Sequence, residues 1–200
     1  MMTNMKPKRR NSLRLKGYDY SQPGAYFVTI VTHQRESFFG EIVDDKMLLN
    51  HAGKIAQWDW RRLPKQFDFI ELGAYQVMPN HFHGIIILRD TVGTTRPDNL
   101  NTSLKNRNLA VNKNSRNNPK GSSLRPKGPL PKSLSAIIGQ FKSRVTKRIH
   151  KTNEFSPERI WQRGFHDRII RDEDEWSRIH LYIESNPINW LEDHDNPINF

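Results

Sequence analysis

The chain has 200 residues and a mass of 23.6 kDa, room for one domain of ordinary size with additions, and only 35% of it is hydrophobic beside 26% charged. Its 10 Phe, 5 Trp and 5 Tyr still suffice for one core, which excludes a wholly disordered chain. The longest apolar run, Ile85-Ile86-Ile87-Leu88, is far too short to span a membrane, and the lack of cysteine excludes disulfides, thiolate metal sites and a cysteine nucleophile.

The net charge of +11 is unevenly spread. Residues 1–16 hold Lys6, Lys8, Arg9, Arg10, Arg14 and Lys16 and no acid, and no apolar segment follows them to make an export signal. A soluble protein of the reducing cytoplasm is therefore expected. Residues 90–132 carry nine bases against two acids, are rich in Asn, Gly, Pro and Ser, and show no helical or strand period. The organisation reads as a basic flexible tail 1–16, a first structured half 17–89, a basic low-complexity insertion or loop 90–132, and a second half 133–192. Basic arms beside a near-neutral body attract a polyanion, because each neutralised phosphate releases counterions, so nucleic acid is the leading partner.

In chain order, Ala25-Tyr26-Phe27-Val28-Thr29-Ile30-Val31-Thr32 is β-branched and aromatic and reads as a buried strand. Asn50 caps a helix with an apolar stripe of Ile55, Trp58 and Leu63, stopped by Pro64. Phe67 to Met78 and His81 to Leu88 read as neighbouring antiparallel strands separated by Pro79-Asn80. After Ser133, Leu134, Ile138, Phe141, Val145 and Ile149 recur at helical spacing, with Lys142, Arg144, Lys147 and Arg148 on the other face. A short strand at Arg168 to Ile170 precedes a last helix from Asp172, whose first turn carries Glu173, Asp174 and Glu175, and Pro187 ends it. Mixed elements in this order predict an α+β fold with helices packed against an antiparallel sheet.

Two constellations carry chemistry. In His81-Phe82-His83, alternation on a strand projects both imidazoles to one side and Phe82 into the core on the other. Tyr182 and Asn186 lie four apart on a helix and so share a face, with Arg178 one turn earlier. Each pair has a plainer reading: packed strand histidines, a core-edge tyrosine, and an asparagine that ends its helix, since the residue before Pro187 is steered away from helical backbone. Together, two imidazoles and a carboxamide oxygen would suit a divalent cation, with a nearby phenol as nucleophile and Arg178 and Lys142 as helpers. His166 and His180 offer a different third ligand, for a metal hydrolase that uses water. His166 and Trp161 are also open to a core reading.

The setting Met78-Pro79-Asn80-His81-Phe82-His83-Gly84, followed by Ile160-Trp161-Gln162 and then by Tyr182-Ile183-Glu184-Ser185-Asn186-Pro187, resembles the REP-associated tyrosine transposases of the single-tyrosine HUH group. The resemblance spans roughly 14–89 and 133–190, and 90–132 has no counterpart in the family pattern. It implies a ferredoxin-like sheet with helices on it, His81, His83 and Asn186 as ligands of Mg2+ or Mn2+, and Tyr182 as nucleophile. It also implies cleavage and rejoining of single-stranded or hairpin DNA through a 5′-phosphotyrosine. Arg9, Arg10, Arg14, Lys142, Arg144 and Arg178 are the expected DNA contacts, and the protein is expected to be a monomer or homodimer. The competing expectation is a DNA-binding protein that keeps the fold without cleaving.

Overall fold

A computed structural model describes residues 18–90, 129–152, 157–193 and 196. Expectations that fall on 1–17 and 91–128, including Arg9, Arg10, Arg14, the tail and nearly all of the insertion, lie outside the described residues. The elements are β1 (Gly24–Val31), a 3-10 turn (His33–Arg35), β2 (Gly40–Val43), β3 (Lys46–Leu49), α1 (His51–Arg61) and α2 (Leu63–Gln66). They continue with β4 (Ile70–Val77), β5 (His81–Leu88), α3 (Leu134–Thr152), β6 (His166–Ile170), α4 (Glu173–Ser185) and a second 3-10 turn (Trp190–Glu192).

Four strands form one antiparallel sheet in the order β4-β5-β1-β6, and β2 and β3 form a separate hairpin. With α1 between β1 and β4 and α3 between β5 and β6, this is the ferredoxin-like arrangement. Period-two alternation divides the residues cleanly between the sheet's faces. Tyr26, Val28, Ile30, Phe82, Ile86 and Leu88 face the main core with Trp60 of α1 and Leu134, Ile138, Phe141, Val145 and Ile149 of α3. Ala25, Phe27, Ile85, Ile87 and Ile170 face the other way, where Trp176, Ile179 and Ile183 of α4 cover them.

Asn50 caps α1 as expected, accepting from Gly53 N at 3.0 Å, and Asp172 caps α4, accepting from Glu175 N at 2.7 Å. Ser133 Oγ accepts from Ala136 N at the start of α3. Three expectations need correction. Trp58 is not in the apolar stripe: it is 43% exposed, its ring stacked by the guanidiniums of Arg62 and Arg148 at 4.4 and 4.2 Å, while Ala56, Trp60 and Leu63 are buried. Pro64 does not end helical structure, because it occupies the first turn of α2, where a missing N–H costs nothing. The strand expected from Phe67 starts at Ile70. The β2–β3 hairpin was not expected. Its two-residue turn, Asp44-Asp45, has φ of 49° and 60°, the left-handed pair of a type I′ turn without the usual glycine.

Candidate active site

Strand β5 lies between β4 and β1, and its backbone alternation sets the site. Phe82 turns into the core against Trp60, Tyr75 and Phe141, and His81 and His83 emerge on the α4 face with ring centroids 4.4 Å apart. Both imidazoles are buried. Gly84 makes this possible: a Cβ there would lie 2.3 Å from Trp60 Cζ2, so the indole packs directly on the strand backbone beside His83.

Each histidine is held through Nδ1. Asn80 Oδ1 lies 2.8 Å from His81 Nδ1, and Thr29 Oγ1, directly across from His83 on β1, lies 2.9 Å from His83 Nδ1. Phe27 stacks on the His83 ring at 5.3 Å and meets the Tyr182 ring edge-on at 6.1 Å, and Trp190 packs on His81 at 6.0 Å.

Helix α4 brings Tyr182 over this pair. Ile179 and Ile183 anchor the helix to the sheet, which places the Tyr182 hydroxyl 3.4 Å from His83 Nε2, across 99 residues of sequence. Asn186 follows one turn later. Its backbone is helical, φ −57° and ψ −40°, despite Pro187, so the residue stays on the Tyr182 face rather than turning away. Its side chain is 2% exposed, and no hydrogen-bond partner among the described residues reaches its buried Oδ1. Burial pushes the Tyr182 phenol above its ordinary pKa near 10, with the carboxylate of Asp193 adding to the rise and the Asn186 carboxamide opposing it.

The donor set suits a divalent cation. Two imidazoles lie with ring centroids 4.4 Å apart under Tyr182, and Asn186, one helical turn after that tyrosine, has a buried carboxamide oxygen whose acceptor capacity no described donor meets, a costly state for a polar atom unless something electropositive joins it. Among the described residues no group of three or more His, Cys, Asp or Glu gathers to hold a metal, so the third-histidine alternative has no cluster to use. His166 is exposed on β6, and His180 pairs with Glu184 at 3.1 Å.

Of the expected DNA contacts within the described residues, two are engaged internally. Lys142 Nζ donates to the carbonyls of Gln162 and Gly164 at 2.6 and 2.7 Å, and desolvation brings its pKa down to about 8. Arg144 lies 3.9 Å from the fully buried Asp59, which Arg148 contacts at 3.0 Å. Lys142 therefore fastens the turn before β6, and Arg144 faces the α1 carboxylate. Arg178 is exposed on α4. Trp161 belongs to the core, beside Phe39 at 5.0 Å and Phe141 at 6.0 Å. The residues that sequence reasoning missed are Phe27, Thr29, Asn80, Trp190 and Asp193. Only Asn80 left a signal, its place immediately before His81.

No family model matches the chain. A solved structure, a REP-associated tyrosine transposase bound to a REP hairpin, superposes with a TM-score of 0.52 at 17% identity, covering 88% of this chain and 73% of that one. The chain therefore has the fold of the REP-associated tyrosine transposases, as the order of its motifs implied. In sequence it is 34% identical over 185 residues to an uncharacterized protein of Haemophilus influenzae (strain ATCC 51907 / DSM 11121 / KW20 / Rd), a match covering 92% of this chain and 91% of its relative. The chain belongs to one family with that protein. No helix of the described residues is long and apolar enough to cross a membrane.

Proposed function

We propose that the chain is a DNA strand transferase that cleaves and rejoins single-stranded or hairpin DNA through a covalent link to Tyr182. The observation that carries this reading is the 3.4 Å separation of the Tyr182 hydroxyl from His83 Nε2, with the buried Asn186 oxygen one helical turn away. A buried carboxamide oxygen that no described donor meets suits a bound cation better than plain packing. The fold shared with a transposase that holds a REP hairpin supports DNA as the substrate class.

His81, His83 and Asn186 would hold Mg2+ or Mn2+, which would polarise the scissile phosphate and favour the phenolate. Tyr182 Oη forms a bond to phosphorus as the bond to the 3′ oxygen breaks, and the phenol proton ends on the departing 3′ hydroxyl. One phosphoester replaces another, so neither water nor ATP is consumed, and the reverse step rejoins the strand. Thr29 and Phe27 hold the His83 ring, and Phe27 also limits the swing of the Tyr182 ring. Arg178, exposed on α4, would meet the DNA backbone. Arg9, Arg10 and Arg14 would add sequence-independent attraction.

The test is to incubate the protein with labelled single-stranded or hairpin oligonucleotides and Mn2+, then denature it. A covalent adduct is expected for the wild type, lost in Tyr182→Phe and in His81→Ala, with binding largely retained in both. Binding without an adduct under any condition would favour a DNA-binding module that does not cleave. Strand cleavage that survives in Tyr182→Phe would remove the nucleophile from the account.

A further inference from the structure

We infer that Asn80 is a positioning residue that locks His81 in the Nδ1–H tautomer and so reserves His81 Nε2 as a cation-binding nitrogen. The metal role rests on the functional reading above, whereas the tautomer itself does not.

Asn80 is wholly buried in the loop that joins β4 to β5. Its Nδ2 donates to the Arg35 carbonyl at 3.2 Å, and its Oδ1 lies 2.8 Å from His81 Nδ1. Turning the amide over would set Oδ1 against a carbonyl oxygen, two acceptors facing each other, so the orientation is fixed by Arg35. With an oxygen facing it, Nδ1 must be the donor. The neutral ring then carries its lone pair on Nε2.

The loop is itself clamped. The Asn80 carbonyl accepts the backbone N–H of Thr32 at 2.8 Å, and the Thr32 hydroxyl lies 2.8 Å from both this carbonyl and that of Glu36, so the 3-10 turn after β1 holds Asn80 at its backbone as well as its side chain. His83 has no such lock, because its Nδ1 partner is the Thr29 hydroxyl, which either donates or accepts by rotating. The site therefore combines one histidine fixed in its tautomer with one that adjusts to Tyr182. Partners of this kind typically alter metal affinity by about 10- to 100-fold.

Long-range 1H–15N correlation spectra of the metal-free, full-length protein at pH 8 read the tautomer directly. His81 is expected with Nδ1 protonated and Nε2 bare; protonated Nε2 would overturn the assignment. Mn2+ titration of variants then tests the consequence. Asn80→Asp keeps the acceptor facing His81 Nδ1 but gives up the bond to Arg35, so, if folded, it should keep the tautomer and bind Mn2+ more tightly than Asn80→Leu. Asn80→Leu, if folded, should lose about 10- to 100-fold. Unchanged affinity in folded Asn80→Leu, or folded Asn80→Asp binding no more tightly than Asn80→Leu, would overturn the role. The predicted tautomer in a wild type that binds no Mn2+ would instead defeat the metal reading of the site, and the role with it.

Discussion

Tyr182 sits where burial and the Asp193 carboxylate both resist its ionisation. With a pKa above 10, fewer than about one phenol in a thousand is ionised at pH 7 without help from bound substrate and cation. Adduct formation should therefore accelerate with pH, by up to about tenfold per unit between pH 7 and 9 if loss of the phenol proton precedes the slow step. Removing the carboxylate in Asp193→Asn lowers the phenol's pKa, so the same profile should move to lower pH and the rate at pH 8 should rise. Single-turnover rates across this range check both statements; a flat profile, or a shift to higher pH in the variant, would contradict them. At this scale the sequence was partly legible. His81, His83, Tyr182 and Asn186 announce themselves by spacing, whereas Phe27 and Thr29 reach the site only through the register of β1 on β5, which no local pattern encodes.

At the scale of elements, legibility followed burial. Helix α3 was readable because one face lies in a core and periodicity reports that directly, and β1 and β5 because both faces are buried, which leaves continuous β-branched and aromatic runs. On α1 the apolar stripe was read off a Trp58 that is in fact stacked by two guanidiniums at the surface, an environment hydropathy does not distinguish from a core. The hairpin was invisible because its strands are four residues each and Asp44-Asp45 adopts a glycine-like turn. Lys142 carries a contact no local pattern encodes: two carbonyls brought close by the turn after Trp161 accept its ammonium group. Gly84 is the position where an element's packing controls the site. A methyl group there would collide with the Trp60 indole, so Gly84→Ala should destabilise the protein by about 1–3 kcal/mol and displace His83. Chemical denaturation of the variant, with Mn2+ affinity measured under native conditions, checks this; unchanged stability would mean that α1 moves aside without cost.

Over the whole molecule, the sheet separates support from chemistry. One face is committed to the large core under α1 and α3, and the other carries a smaller apolar patch that fastens α4 and the proposed reacting groups above it. The two histidines thus come from the first half of the chain and Tyr182 and Asn186 from the second, and a correctly formed sheet is needed to bring them together. The Haemophilus influenzae relative matches across both halves, 91% of its length, in keeping with a shared single fold rather than a shared fragment. The most direct test of the account is to digest the protein–DNA adduct and identify, by mass spectrometry, the residue that carries the nucleotide. A 5′-phosphate linked to Tyr182 is predicted. Attachment to any other side chain, or product strands ending in a free 5′-phosphate with no linked peptide, would contradict it.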